Sequence, residues 1–303
     1  MPEDQSVNGD RWNDQFTKLL ESLRWTTLGD SNMDLTNDRE EEHGVDRLFT
    51  YFNSFIQGRT EAVLFEAKNY LTTSYKSGNI DTWIKTLDKK ISNLKNSGSL
   101  YEMFPALETI PLRSGLIAIW FSNVDDYPAF RERFLDSLRS VKLNRQMGDS
   151  NLIYVLENDG ILRLASLSIA IEEINKDKYT KEEFRFFYPA DSQQVAKRST
   201  ELAFKYFTAK FILGEYFDIK GVENKVVFYM GRLDIPSFER LRQALYHVGY
   251  LDEDKPLTIY TYERDDSEFR KIQPEIPKLF NGQQVTLLEM EHMNKLPTFM
   301  RKK

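Results

Sequence analysis

Residues 61–70 have the sequence Glu61-Ala62-Val63-Leu64-Phe65-Glu66-Ala67-Lys68-Asn69-Tyr70. The run is rich in apolar and aromatic residues, a pattern that predicts a β-strand. Side chains two apart on a strand point to the same face of a sheet, so Glu66 and Lys68 share one face and Ala67 points to the other. The stretch therefore predicts a strand that holds a carboxylate beside an ammonium group.

A second strand is predicted just upstream, over Gly44-Val45-Asp46-Arg47-Leu48-Phe49, with Gly58 in the polar connector between the two strands. If the strands pair as an antiparallel hairpin, Asp46 reaches the face that carries Glu66 and Lys68. Two carboxylates beside an amine suit a divalent metal ion and a nucleophilic water. The hairpin is therefore the main indication of function in this sequence.

Asp46 followed by Glu66-Ala67-Lys68 resembles the PD-(D/E)xK restriction-endonuclease-like nuclease superfamily, over roughly residues 10–122. The resemblance implies that Asp46, Glu66 and the backbone carbonyl of Ala67 bind Mg²⁺ or Mn²⁺. It also implies that Lys68 orients or helps to deprotonate the attacking water and stabilises the transition state. Val45 stands where the motif name has proline, a change of little chemical cost.

The first helix is predicted from Arg11 to Arg24, with Asp10 as its N-cap and an apolar stripe at helical spacing. The nuclease family often carries Glu or Gln on this helix, directed towards the metal. Gln15 is the matching position, and Gln in place of Glu removes one negative charge. The alternative is that Gln15 is a boundary residue of the apolar stripe.

Residues 25–42 contain Gly29 and many acidic and Asn residues, which predicts a loop. Another helix is predicted from Thr82 to Lys95, followed by a buried strand over 115–121. The lysines of this helix, Lys85, Lys89 and Lys90, are candidates for binding a nucleic-acid backbone, although they also suit an ordinary solvated helix face. The resulting α-β-β-α-β order is the one that the nuclease fold needs. The predicted fold class is α/β, with a restriction-endonuclease-like core containing a mixed sheet flanked by helices.

Composition limits the functions that the whole chain can have. The 303 residues are 41% hydrophobic and 29% charged, as in soluble globular proteins, and they include no cysteine, which suits a reducing cytoplasm. No signal peptide or membrane span is expected. The net charge of −6 argues against a broad basic face, so nucleic-acid binding is expected to need a local patch or a partner.

The sequence predicts a disordered tail over 1–10, the nuclease-like domain over 11–122 and a C-terminal α/β module over 123–303. In the module, Asn158-Asp159-Gly160 predicts a hairpin turn, residues 199–216 a long helix, and residues 226–262 a β-α-β unit. The role expected of this module is substrate positioning or partner binding.

Hydrolysis of phosphodiester bonds in DNA is the activity that the resemblance implies, with RNA as an alternative substrate. The chain also resembles the nuclease subunits of bacterial anti-phage defence systems, which implies a partner subunit or a homo-oligomer. A different class of function is a scaffold or binding subunit in which Glu66 and Lys68 form only a surface ion pair, worth at most about 1 kcal/mol.

Overall fold

A computed structural model describes residues 3–55, 59–143, 151–190, 195–262, 266–280 and 282–301. The chain forms two compact units. The first comprises Met1–Tyr51, Arg59–Ile161 and Asn294–Lys303, and the second comprises Phe52–Gly58 and Leu162–Met293. No helix in the described ranges is both long and apolar enough to cross a membrane.

The helices and strands from the N-terminus to the first part of the chain after residue 150 are α1 (Glu3–Ser22), β1 (Thr26–Leu28), β2 (Met33–Thr36), β3 (Glu42–Val45), β4 (Arg47–Asn53), β5 (Arg59–Tyr70), α2 (Gly78–Leu94), α3 (Gly98–Met103), β6 (Leu112–Phe121), α4 (Tyr127–Arg139), β7 (Leu152–Leu156) and α5 (Asn158–Lys176). Those that follow are β8 (Thr180–Tyr188), β9 (Lys197–Ser199), β10 (Phe211–Asp218), β11 (Glu223–Tyr229), α6 (Ile235–His247), β12 (Leu257–Thr261), α7 (Asp266–Ile272), α8 (Ile276–Leu279), β13 (Val285–Glu289) and α9 (Thr298–Arg301). Short 3₁₀ helices cover Pro105–Glu108 and Phe204–Thr208.

The first unit is built on a mixed sheet with the strand order β1-β4-β5-β6-β7. Strand β1 pairs antiparallel with β4, while β5, β6 and β7 pair in parallel. Helix α1 precedes β4 and β5, and α2 is the crossover between β5 and β6. The predicted α-β-β-α-β order and the α/β class with a mixed sheet are therefore confirmed.

Helices α1 and α2 contact the sheet through different sets of side chains. From α1, Phe16 stacks on Phe65 of β5 with ring centroids 5.1 Å apart. The buried residues of α2 belong to the same core cluster as Leu64, whose side chain points to the opposite face of β5 from Phe65. Glu66 and Lys68 have the same parity as Leu64, so they lie on the face of β5 that α2 covers.

Close approach of α2 to the sheet depends on Gly115 in β6. A Cβ atom at this position would lie 2.7 Å from a methyl carbon of Leu87 and 2.9 Å from one of Ile91. These distances are shorter than ordinary contacts between carbon atoms, so glycine lets the helix pack against the strand. Lys90 lies between these two residues on α2, so its position over the sheet follows from this contact.

Several predictions for the N-terminal region are wrong. Residues 3–10 belong to α1, so the predicted tail is helical from Glu3 onward and Asp10 lies inside the helix. The predicted loop over 25–42 contains β1, β2 and the first residue of β3. Strand β2 pairs antiparallel with β3, which occupies the predicted strand up to Val45. That strand is in fact two strands, β3 and β4, separated by Asp46.

The predicted hairpin at Asn158-Asp159-Gly160 is also wrong, because these residues begin α5. The Asn158 side chain accepts a hydrogen bond from the backbone N–H of Phe121 (2.7 Å) and donates one to its carbonyl (2.9 Å). Glu157 accepts from the N–H of Asp159 at 2.6 Å, which satisfies a free donor at the helix start. Long-range and capping hydrogen bonds therefore replace the turn that the local sequence predicts.

The second unit contains a sheet with the order β13-β12-β11-β10-β8-β9. The predicted β-α-β unit is confirmed, since α6 connects β11 to the parallel strand β12. The predicted helix over 199–216 is wrong: β9 ends at Ser199, and Phe211–Asp218 forms β10, which pairs antiparallel with β11 and β8. Pairing on both sides overrides the helical spacing of the phenylalanines.

The limits of the two compact units differ from the domain boundary that was expected at residue 122. Strand β7 pairs with β6, and α4 contributes Phe130 and Phe134 to the core of the first unit, which extends to Ile161. The residues at the end of β4 belong to the second unit instead. There the ring of Phe55 packs edge-on against Tyr188 and Tyr206, at centroid distances of 5.0 and 5.2 Å.

Candidate active site

Asp46 occupies the break between β3 and β4, and hydrogen bonds hold both its backbone and its side chain. Its carbonyl accepts from the side-chain Nδ2 of Asn13 at 2.8 Å and from the backbone N–H of Asn32 at 2.9 Å. Its carboxylate Oδ2 accepts from the backbone N–H of Ala67 at 2.6 Å. The last of these bonds fixes the Asp46 carboxylate beside the centre of β5.

Glu66 and Lys68 make the closest pair of the site, as their common face on β5 predicts. The Nζ of Lys68 lies 2.7 Å from Oε2 of Glu66 and 3.9 Å from Oδ2 of Asp46. The other oxygen of Glu66, Oε1, lies 2.5 Å from the Nζ of Lys90, on α2. Lys90 also donates to the backbone carbonyl of Gly44 in β3. The site therefore combines two carboxylates with two ammonium groups.

Burial and charge move the pKa values of the two carboxylates in opposite directions. Burial raises the pKa of Asp46, and the neighbouring charge of Glu66 raises it further, against the opposing effect of Lys68. Burial also acts to raise the pKa of Glu66, but Lys68 and Lys90 outweigh it, so that this pKa lies below its ordinary value. Glu66 is thus ionised at neutral pH, while the charge of Asp46 is less well compensated.

Lys68 is held as an ammonium ion. Its burial acts to lower its pKa, but the charges of Glu66 and Asp46 outweigh this effect and raise the pKa above the ordinary value of 10.5. At neutral pH the group is therefore a hydrogen-bond donor and a positive charge. In this state it cannot accept a proton.

The residues proposed from the sequence are distributed unequally around the site. Asp46, Glu66, Ala67 and Lys68 come together, and Lys90 joins them through Glu66. Lys85 forms an ion pair with Asp81 at 2.8 Å on an exposed part of α2, and Lys89 is exposed.

Gln15, the residue expected on the first helix, is half-buried. Within the ranges that the structure describes, no hydrogen bond at Asp46, Glu66 or Lys68 comes from Gln15. Asn13, on the same helix, is the residue of α1 that contacts the site.

Sequence reasoning missed Asn13 and Asn32, which position the backbone of Asp46. Asn13 is 1% exposed, and its Oδ1 has no hydrogen-bond partner among the described atoms. Asn32 adopts a left-handed backbone conformation with φ of 54°, which Asn tolerates better than most residues. The available signal was a polar residue directly after Trp12, next to the apolar stripe of α1.

The donor set fits a magnesium or manganese ion but not a metal bound by many protein ligands. No group of three or more His, Cys, Asp or Glu side chains that could hold a metal occurs in the described part of the chain. Mg²⁺ prefers oxygen ligands and keeps several of its waters, so one or two carboxylates suffice. Asp46 and Glu66 provide these carboxylates, and their mutual repulsion is the kind that a cation relieves.

Comparison with protein families identifies the region that carries this site. The family model described as the GAPS4 protein PD-(D/E)XK nuclease domain matches residues 1–160, which is just over half of the chain. The chain belongs to this family. No curated protein matches the chain in sequence.

The match to the PD-(D/E)XK nuclease domain covers Met1–Tyr51 and nearly all of Arg59–Ile161 of the first compact unit, together with the short segment Phe52–Gly58 of the second. The match includes Asp46, Glu66, Lys68 and Lys90, as well as β7, which was expected to belong to the C-terminal module. The resemblance to the PD-(D/E)xK superfamily and the prediction of a nuclease fold are therefore confirmed. Residues 161–303 lie outside the family match.

Replacing Asp46 by asparagine is expected to stabilise the folded protein at neutral pH. The pKa of Asp46 in the folded protein lies above the unfolded value of about 3.8, so the folded state loses stability as the pH rises from the unfolded to the folded pKa. Asparagine has no charge and keeps an acceptor for the N–H of Ala67. We expect a gain in the free energy of unfolding at neutral pH that shrinks towards zero as the pH falls to the unfolded pKa.

Urea unfolding at several pH values measures this gain, with Asp125→Asn as the control because Asp125 is an exposed carboxylate of the same unit. Equal stability changes in the two variants would show that ionised Asp46 carries no cost in the folded site.

Proposed function

We propose that this chain is an active metal-dependent endonuclease that hydrolyses phosphodiester bonds in DNA. The observation that supports it is the grouping of Lys68 with both carboxylates, at 2.7 Å from Glu66 and 3.9 Å from Asp46. A surface ion pair on a scaffold needs no second carboxylate. It also needs no backbone clamp such as the one that holds Asp46.

Asp46 and Glu66, with the carbonyl of Ala67, are the proposed ligands of Mg²⁺ or Mn²⁺. The ion, when bound, supplies a Lewis acid that polarises the phosphate and lowers the pKa of water. Asn13 and Asn32 keep the Asp46 backbone in place, and the N–H of Ala67 keeps its carboxylate oriented. These contacts preorganise the site on strand β5.

Lys68 acts in this proposal as a charge and a donor. Its raised pKa keeps it protonated, so its ammonium can donate to a phosphate oxygen and stabilise the negative charge that develops there. Proton removal from the attacking water is therefore assigned to another base, for which the phosphate itself or bulk water is available. Gln15 remains the proposed hydrogen-bond partner of that water.

DNA is the proposed substrate because the superfamily that the sequence resembles acts mainly on DNA. Lys85 and Lys89, exposed on α2, are the proposed contacts to its backbone together with Lys90. The net charge of −6 supports a protein partner or a second copy of the chain that contributes to DNA binding.

The biological setting that we propose is bacterial anti-phage defence, in the cytoplasm. The supporting facts are the family of the nuclease domain and the absence of cysteine from the sequence. The second compact unit is proposed to position substrate or to bind the partner.

A cleavage assay tests the proposed activity. Plasmid, linear duplex, single-stranded DNA and RNA are each incubated with the wild-type protein in Mg²⁺, Mn²⁺ or EDTA, beside the Asp46→Asn variant. We expect metal-dependent cleavage of DNA, including circular plasmid, and none by the variant. RNA cleavage alone would replace the substrate, and equal cleavage by the variant or in EDTA would contradict the assigned site.

A further inference from the structure

Glu66 contacts two lysines, although only Lys68 is assigned a role in the chemical step. Lys68 holds Oε2 of Glu66 at 2.7 Å, and Lys90 holds Oε1 at 2.5 Å. The Lys90 side chain is only 17% exposed, and its ammonium also donates to the carbonyl of Gly44. Both oxygens of the central carboxylate are thus taken by ammonium groups.

This arrangement opposes binding of a cation to the free site. The two formal negative charges of Asp46 and Glu66 are matched by the two formal positive charges of Lys68 and Lys90, so the four side chains have no net formal charge. A divalent ion bound to Glu66 competes with an ammonium group for a carboxylate oxygen. The positive charges of both lysines also repel the ion. Release of one lysine from Glu66 therefore favours binding of the ion.

Lys90 is the lysine whose release breaks fewer ion pairs. Lys68 lies within 4.0 Å of both Glu66 and Asp46, whereas Lys90 contacts a single carboxylate and the neutral carbonyl of Gly44. A lysine has a flexible four-carbon stem, so its ammonium can move several ångströms while the helix backbone stays in place. The ammonium released in this way stays beside the proposed metal ligands, where the proposed reaction requires a phosphodiester.

We propose that the ammonium group of Lys90 binds the Glu66 carboxylate in the free site and moves to a phosphodiester oxygen when the metal binds. The inference rests on the proposed function, because it assumes that Asp46 and Glu66 bind the ion. Its consequence is that metal and phosphodiester strengthen each other's binding by the same factor. The free protein then has a weak metal site that becomes strong when substrate is present.

Calorimetric titration with MnCl₂ tests the first half of this proposal without any cleavage reaction. We expect Lys90→Gln to bind Mn²⁺ at least about tenfold more tightly than the wild type, because a competing charge is gone. Lys76→Gln removes the same charge from an exposed position of the same unit, one that has no part in the proposed site, and is expected to leave Mn²⁺ affinity unchanged. Lys90→Met is a second variant of similar length, and circular dichroism checks that each variant is folded.

Titration in a large excess of dimethyl phosphate tests the second half. This anion carries the phosphodiester group that DNA and RNA share, so the result does not depend on which of them is the substrate. We expect it to tighten Mn²⁺ binding to the wild type and to have a smaller effect on Lys90→Gln. An equal effect on both proteins, or no effect on the wild type, would contradict the proposal that the Lys90 ammonium moves to the phosphate.

The Asp46→Asn variant separates failure of this inference from failure of the proposed function. If the wild type binds Mn²⁺, Asp46→Asn does not, and Lys90→Gln binds no more tightly than the wild type, the metal site stands and the role of Lys90 is wrong. If Asp46→Asn binds Mn²⁺ as well as the wild type, or if no variant binds it, both fail. Binding detected only in the Lys90 variants would support the inference directly.

Discussion

Lys68→Ala is expected to lower the rate of metal-dependent cleavage by about 10²–10³-fold, the usual effect of removing one preorganised donor from a transition state. Lys68 provides the only ammonium that lies near both carboxylates in the described structure, at 2.7 and 3.9 Å. Its loss removes a donor to the phosphate and leaves Glu66 paired with Lys90 alone. Initial rates on the preferred substrate at saturating Mn²⁺ measure the effect.

Two further variants show whether the effect belongs to the site. Lys76→Ala removes an exposed lysine of the same unit and is expected to keep the wild-type rate. Lys68→Arg keeps the charge but changes its geometry, so we expect a rate between those of the wild type and Lys68→Ala. A Lys68→Ala rate within about threefold of the wild type would exclude a role of Lys68 in stabilising the transition state, because a preorganised donor contributes far more than that.

Trp12→Ala is expected to cause the largest loss of stability in the first unit, about 3–5 kcal/mol. Trp12 is fully buried, its ring centroid lies 5.7 Å from that of Phe16 and 5.6 Å from that of Trp120, and its Nε1–H donates to the carbonyl of Ala118 at 3.0 Å. The substitution leaves a cavity and removes the donor from a buried carbonyl. It also loosens the helix that presents Asn13 to Asp46.

Because the chain has two compact units, the measurement has to report on the first one. Hydrogen exchange of the β6 amides, together with urea unfolding followed by circular dichroism, provides this resolution. Trp12→Phe keeps an aromatic ring but not the N–H, and its expected cost is about 1–2 kcal/mol. Arg11→Ala, at an exposed position of α1, is the control. A loss below about 1 kcal/mol for Trp12→Ala would contradict the packing role of this residue.

The sequence alone determined the elements whose signal is local and periodic. Alternation on a strand places Glu66 and Lys68 on one face, and β5 has this arrangement because a period of two is a property of the extended backbone. The continuous apolar run over 115–121 marks a buried parallel strand, since both of its faces are covered. The α-β-β-α-β order followed from these two stretches together with the upstream strand and the apolar stripes of the two predicted helices, and the PD-(D/E)xK motif from Asp46 with Glu66-Ala67-Lys68.

The tertiary structure decided everything that depends on partners distant in sequence. Asn158-Asp159-Gly160 suits a hairpin turn and a helix start equally well, and the hydrogen bonds of Asn158 to Phe121 select the helix. Residues 211–218 lie in a stretch with phenylalanines at helical spacing, yet they form a strand because β8 and β11 pair with both of its edges. A local pattern cannot choose between such alternatives when long-range hydrogen bonds outweigh its preference.

In the candidate active site, too, some residues could be predicted from the sequence and others are brought in only by the tertiary structure. Its carboxylates and Lys68 follow from the motif, whereas Lys90 was expected to bind a nucleic-acid backbone or to lie on a solvated helix face, and Asn13 was not expected at all. Lys90 lies beside Ile91 at the border of the apolar stripe of α2, where helical spacing alone does not decide between solvent and the sheet. The close packing of α2 over Gly115 in β6 determines that its ammonium reaches Glu66.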